Sequence, residues 1–534
     1  MSTTAGGRGY LNYGRALRLS AMKFSGHIAL EFHGARYTFA ELNQQVNAMA
    51  HALACNGVKT GDRVLVMSAN SPDYLRLLFA AAKLGVACIP TSTALTYSDL
   101  SYVLQAARPA LVVTSTTYLR TVRLALDDAA IDPAPAVVGL RADSAADSAQ
   151  GAAEITFLDP GSCPATEPEV ALPDDDDPAI LLFTSGSTGT PKAVVKSFAN
   201  LTWHAINRQL AEPRHEQARE LFVLPITGVG FGNFILTDII VGATCVLEST
   251  FDPVRAADLL RSAAIEYAFL APTMMMAIRA TAADSSFPSV RVIETAYEIS
   301  PRQRTWVAEM FPNARILYSY GCTEGSMGRA PADAFLSDPS CVGFASGLDE
   351  YRIAGPAAEH DGPQRLGSVE VAGPTVMQGY LTASGDLSDD VHDGWFDTGD
   401  LGWIDPRHRL HFGGRQKDMI KTGGMTVFAW DVENALSGHP DVSDVGVIGI
   451  PDDYWGEAVA AVLRPRDGAC LDLTAIRQHA EATLAGFRRP KAYFVTKQLP
   501  LNATGKLAKG ELRKLVLAGS IPRLGPATQT AGTA

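Results

Sequence analysis

One stretch, residues 179–192 (AILLFTSGSTGTPK), constrains this chain more than any other. Five apolar residues, Ala179-Ile180-Leu181-Leu182-Phe183, stop at Thr184-Ser185-Gly186-Ser187-Thr188-Gly189-Thr190-Pro191-Lys192. Such a run reads as a buried strand opening into a tight polar loop. Glycines let the backbone approach a ligand, amides and hydroxyls donate hydrogen bonds, and lysine adds a charge, which is what a polyphosphate requires. Taken alone, the same composition also fits an ordinary Ser/Gly surface loop.

The chain has 534 residues, too many for one compact core, so two or more domains are expected. A net charge of −12 leaves no surplus of Lys and Arg for non-specific nucleic-acid binding. Part of that charge is Asp174-Asp175-Asp176-Asp177, read as a solvated linker. Seven scattered cysteines show no paired or metal-ligand spacing, which favours a reducing compartment. The first residues lack the regions of a signal peptide, and Arg76 and Lys83 interrupt the apolar stretch 74–90. The expectation is a soluble, cytoplasmic protein without a membrane span.

Strands and helices alternate along the first 320 residues. Residues 28–39 read as a hairpin around His33-Gly34, followed by a helix capped by Thr38 and Glu41 and striped by Leu42, Val46, Met49 and Leu53. Apolar runs at 63–67, 88–90, 110–114, 221–225, 243–247, 267–270, 290–293 and 315–318 read as strands. Helices are expected to open at Pro72, Ser98 and Ser197. This pattern predicts a layered α/β fold with largely parallel sheets. Residues 141–178 read as a loop. From about Gly414 the character changes to a charged segment and a small α+β unit, and the Pro/Gly/Thr-rich end reads as disordered.

Four more motifs accompany the opening loop: Tyr318-Ser319-Tyr320-Gly321-Cys322-Thr323-Glu324, Trp395-Phe396-Asp397-Thr398-Gly399-Asp400, Gly414-Arg415-Gln416-Lys417-Asp418 and Asn502-Ala503-Thr504-Gly505-Lys506. In this order the set resembles the adenylate-forming superfamily, whose members include acyl-CoA synthetases, luciferases and peptide-synthetase adenylation domains. The resemblance spans residues 28–517. It implies a large N-terminal domain (1–413) of layered αβαβα sheets with a β-barrel-like subdomain. A small mobile α+β domain (414–520) would follow, with its hinge near Lys417 and a disordered tail at 521–534.

The chemistry implied is acyl-AMP formation from a carboxylic acid and ATP, then transfer of the acyl group to coenzyme A. Thr184, Ser185, Gly186, Ser187, Thr188 and Lys192 would hold the β,γ-phosphates. Glu324 would ligate Mg²⁺, and Thr323 would reach the α-phosphate. Tyr320 would face adenine, Asp400 the ribose hydroxyls, and Arg415 ribose or phosphate oxygens. Lys506 matches the adenylation lysine, and Gly423-Gly424 would line the pantetheine tunnel. Singly, each residue also reads as a solvated charge, a turn or a core aromatic.

Several positions depart from the family pattern. Gly228 stands where an aromatic-histidine pair is common, Thr295-Ala296-Tyr297-Glu298 replaces Gly-Gly-Ala-Pro, Ala193 replaces glycine, and Ala429-Trp430-Asp431 replaces Pro-Ala-Glu. By position, Phe231, Asn233, Tyr297, Ser319 and Met327 are expected to wall the acyl pocket, while the Met274-Met275-Met276 run reads more readily as core. The altered wall keeps a second reading open, an enzyme performing mainly thioesterification. A carrier protein as thiol acceptor is a third, and a non-catalytic adenylate-binding protein a fourth. The acid's identity and the oligomeric state, a dimer among the options, stay open.

Overall fold

The structure, a computed structural model, describes residues 9–141, 155–171, 173–184, 191–228, 230–281, 286–296, 301–325, 327–330, 332–338, 340–358, 366–501 and 507–525. Strands β1 (Ile28–Phe32) and β2 (Ala35–Thr38) form the expected hairpin, turning at His33 and Gly34, both at positive φ. Helix Phe39–Cys55 starts from a capping box in which Thr38 accepts from the Glu41 amide and the Glu41 carboxylate accepts from the Thr38 amide at 2.8 Å. Its stripe, Leu42, Val46, Met49 and Leu53, is fully buried.

Next come β3 (Arg63–Met67), β4 (Ala87–Pro90), β5 (Leu111–Thr114), β6 (Ala136–Gly139) and β7 (Pro178–Thr184), parallel in the order β7–β4–β3–β5–β6. Parallel strands are covered on both faces, which is why Val64-Leu65-Val66 and Leu111-Val112-Val113 are apolar throughout and fully buried. The helix Tyr97–Ala107 is capped by Thr96 rather than Ser98, because Asp99 completes a second capping box. Unlike the sequence reading, β8 (Lys192–Ser197) follows directly, antiparallel to β7 with Thr184 opposite Lys192. The glycine-rich loop therefore joins a hairpin. The apolar triplet Ala193-Val194-Val195 was its signal.

A second parallel array contains β9 (Arg219–Phe222), β10 (Thr244–Leu247), β11 (Tyr267–Phe269), β12 (Val292–Ala296) and β13 (Arg315–Gly321), with β1 alongside β10. Beyond it the pairing turns antiparallel through β14 (Met327–Ala330), β15 (Cys341–Ala345), β16 (Glu350–Ala358) and β17 (Leu366–Ala372). The short β18 (Gly379–Leu381) returns to the first sheet and pairs with β8. Then β19 (Val391–His392), β20 (Trp395–Ile404) and β21 (Leu410–Arg415) complete the array. The barrel-like part is thus hydrogen-bonded to the parallel part as one fourteen-stranded sheet.

The small unit has β22 (Met419–Thr422), β23 (Met425–Phe428), β24 (Val442–Asp452), β25 (Gly456–Pro465) and β26 (Ala492–Val495). Its own core includes Ile420, Val432, Val459 and Ile476. Residues 521–525 depart from the expected disordered tail: Ile521 is buried, and the Leu524 amide donates to the Tyr493 carbonyl at 2.9 Å. Asp175 departs from the solvated-linker reading, since its carboxylate accepts from the Leu11 amide at 2.7 Å. Lys83 is buried and donates to Asn43, Asn47 and Glu167. No helix among the described residues is long and apolar enough to cross a membrane.

A buried ionic cluster braces the second sheet. Glu220 on β9 meets Arg208 at 3.0 Å and Arg214 at 2.9 Å. Glu294 on β12 meets Arg208 at 2.9 Å and Arg329 on β14 at 3.2 Å, and accepts from Ser319. Burial pushes the Glu294 carboxyl up, but Arg208 and Arg329 outweigh it and bring it down to about 2.

Candidate active site

Three of the predicted residues meet at the junction of β13, β20 and β21. Register places Asp400 opposite Arg415 across β20 and β21, and their side chains form an ion pair at 3.0 Å. Tyr320, at the end of β13, donates from its hydroxyl to the other Asp400 oxygen at 2.6 Å. Burial and then the Asp400 charge push the Tyr320 phenol well above its ordinary range, so it stays a donor. Burial pulls the Arg415 guanidinium down, but Asp400 and the other groups around it, Asp418 among them, together raise it above its ordinary value. Asp400 is 4% exposed and Arg415 43%, so the cluster has a buried floor and an open side. The Tyr320 ring lies 6.0 Å from Phe412, which in turn makes an edge contact with Trp430 of the small unit at 6.3 Å.

Beyond β13 the chain turns through Thr323 and Glu324, both half-buried. The Glu324 Oε1 accepts from the Tyr380 hydroxyl at 2.8 Å, and its carbonyl accepts from the Met377 amide and from Lys196. The Lys192 ammonium lies 4.3 Å from the centre of the Tyr380 ring. Lys192, Tyr380, Tyr102 and Asp390 line a cavity of about 280 Å³ beside the loop. Burial lowers the Lys196 ammonium to about 8. Among the described residues no group of three or more His, Cys, Asp or Glu is arranged as a metal cage. A lone half-buried carboxylate fits Mg²⁺ all the same, because this ion is commonly held by one or two carboxylates plus substrate phosphates.

Other predicted residues stand apart. Gly423 and Gly424 form the β22–β23 turn at φ 57° and 80°. The Gly423 amide donates to the Trp455 carbonyl at 2.8 Å, and a Cβ there would meet the Trp455 ring at 2.7 Å. No hydrogen bond among the described residues joins this turn to the Tyr320–Asp400 cluster. Thr184 ends β7, whereas Ser185, Gly186, Ser187, Thr188, Tyr297, Glu298 and Lys506 lie outside the described residues.

Phe231 does not wall a pocket. It is fully buried and packs edge-on against Tyr13 and Phe79, because apolar faces of three helical segments converge there. Met275 is likewise core. Ser319 is buried and spends its hydroxyl on Glu294. Sequence reasoning missed Tyr380 and Lys196. The spacing Lys192 to Lys196 places a second lysine on the same strand, which was the available signal for the latter.

The description AMP-binding enzyme belongs to the family model that matches residues 17–381, and AMP-binding enzyme C-terminal domain to the one that matches residues 431–506. The feruloyl-CoA synthase of an Amycolatopsis species is 30% identical over 91% of this chain and 95% of its own length. The indoleacetate–CoA ligase of Aromatoleum aromaticum is 31% identical over 92% and 95%. Among solved structures, ATP-bound MatB from Rhodopseudomonas palustris superposes with a TM-score of 0.81 at 26% identity, over 94% of this chain and 98% of that one. With two thirds of its length matched by the first of these models and its relatives aligned almost end to end, the chain belongs to the AMP-binding enzyme family.

Proposed function

We propose that this protein is an ATP-dependent, AMP-forming acyl-CoA ligase acting on a non-amino carboxylic acid. The observation that carries the reading is the meeting of Tyr320, Asp400 and Arg415, in which Tyr320 comes from a motif 80 or more residues before the other two. Aryl-substituted acids are the first substrates to test, since two relatives are described as feruloyl-CoA synthase and indoleacetate–CoA ligase.

In this reading the Asp400 carboxylate, held by Tyr320 and Arg415, accepts the ribose hydroxyls. Arg415 turns its exposed side to a ribose or phosphate oxygen. Thr184, Ser185, Gly186, Ser187, Thr188 and Lys192 cradle the β,γ-phosphates, and Thr323 donates to the α-phosphate. Glu324 would hold Mg²⁺, which supplies charge neutralisation on the polyphosphate. Lys506 stabilises the charge that develops as the carboxylate oxygen attacks the α-phosphorus and pyrophosphate departs. The CoA thiolate then displaces AMP from the acyl carbon, past Gly423 and Gly424. We place the boundary between the large domain (1–413) and the small one (414–520) at Gly414, with Lys417 in the connecting turn as the hinge.

The test is a panel of aryl, aliphatic and dicarboxylic acids assayed for ATP–pyrophosphate exchange and, by mass spectrometry, for CoA thioesters. Thioester formation with AMP release is expected for at least one acid. Strong capture of pre-made acyl-AMP with no exchange for any acid would favour the thioesterification reading. Transfer to a carrier protein but not to CoA would replace the acceptor.

A further inference from the structure

Lys196 poses a physical problem. It is fully buried on β8, between Val195 and Ser197, where methionine would fill similar space without desolvating a charge. Its ammonium forms no ion pair with a carboxylate among the described residues. Its hydrogen bonds go to two main-chain carbonyls, Thr375 at 2.6 Å and Glu324 at 2.8 Å. One side chain thus ties the strand that starts at Lys192 to the Glu324 turn and to the segment leading into β18. Tight packing at the same place supports the join, since a Cβ on Gly325 would meet Val376 at 3.1 Å.

Tyr380 completes the arrangement from β18. Its ring receives Lys192, and its hydroxyl donates to the Glu324 carboxylate. A neutral donor holds that carboxylate without cancelling its charge. The Glu324 residue is therefore fastened twice, at the main chain and at the side chain, by residues that bear on the phosphate-loop strand.

We propose that Lys196 and Tyr380 are positioning residues for Glu324, fixing its carboxylate at a set place relative to Lys192 so that a magnesium-bound polyphosphate meets both. The proposal rests on the assignment of Glu324 to the metal. Mg²⁺ demands near-ideal octahedral geometry, so freeing the carboxylate to rotate degrades the site even though no ligand is lost. The step that uses the polyphosphate should suffer, whereas capture of a finished acyl-AMP, which carries no pyrophosphate, should be largely spared. A merely structural role would weaken both steps together.

The experiment uses the full chain with Tyr380→Phe and Lys196→Met, and Glu324→Gln as reference. Three readouts are compared: exchange as a function of Mg²⁺, CoA capture of pre-made acyl-AMP, and calorimetric binding of ATP with Mn²⁺ or with EDTA. For Tyr380→Phe, exchange should fall at least about tenfold and half-saturating Mg²⁺ rise about fivefold, with acyl-AMP capture within about threefold. The Mn²⁺ enhancement of ATP binding should shrink in parallel. Lys196→Met should show the same split with a lower melting temperature. Equal loss in both half-reactions, or unchanged exchange and unchanged Mn²⁺ enhancement, overturns the proposal. If Glu324→Gln itself leaves the metal dependence intact, the metal assignment fails and the proposal with it. If Glu324→Gln removes that dependence and Tyr380→Phe does nothing, only the positioning role fails.

Discussion

Glu294 on β12 and Asp400 on β20 are built from similar parts. Each is a carboxylate with almost no exposure, and each meets arginine and accepts from a hydroxyl, Ser319 in one case and Tyr320 in the other. The difference lies in the arginines. Arg208 is 1% and Arg329 8% exposed, while Arg415 is 43% exposed. The Glu294 cluster is closed, so its charges compensate one another and brace a sheet. The Asp400 cluster is open on its arginine side, so a ligand can reach it from solvent. The same ion-pair chemistry thus becomes scaffold or site according to whether one partner reaches solvent.

That contrast breaks if Glu294 and Asp400 respond alike. The largest effect is expected for Glu294→Ala, which leaves Arg329 without its carboxylate and Arg208 with Glu220 alone in the core, and should cost about 3–5 kcal/mol in urea unfolding. Acid is the second probe. The folded-state value of Glu294, about 2, lies below its ordinary 4.5, so its stabilisation is complete above 4.5 and is lost as pH falls toward 2. The loss is on the order of 3 kcal/mol, and Glu294→Ala should lack this part of the acid sensitivity. Asp400→Asn should behave oppositely: exchange falls about a hundredfold, roughly 2.7 kcal/mol, while stability moves by less than about 1.5 kcal/mol. Smallest is Ser71→Ala, which removes the cap that accepts from the Tyr74 amide at 3.1 Å. It should cost about 1 kcal/mol in unfolding with exchange unchanged, and so sets the scale for an uncharged contact.

The strand pattern and the motif residues were legible because each rests on local chemistry. The Thr38–Glu41 box and the Leu42 stripe are recognised within residues 38–53, and Tyr320, Asp400 and Arg415 sit in motifs of distinctive composition. What escaped was set by partners distant in the chain. Phe231 looked like a pocket wall until Tyr13 and Phe79 closed on it. Asp175 looked like one of four solvated acids until Leu11 met it across 164 residues. Lys196 drew no notice in the sequence because its two acceptors are carbonyls 128 and 179 residues away, and a backbone carbonyl leaves no mark on a sequence.

The pairing of β8 with β18 bears on how the chain is made. In the finished protein β18 covers the outer side of β8 and ends that sheet. On the ribosome, β8 emerges with Ala193-Val194-Val195 and an unpaired ladder edge, and its cover is encoded roughly 180 residues later. At about 5–20 residues per second that edge stays bare for roughly 10–40 s of synthesis, long enough for pairing with another nascent chain. Yield in a heterologous host should therefore respond to translation speed between Ser197 and Gly379, and to chaperones that shield extended strands.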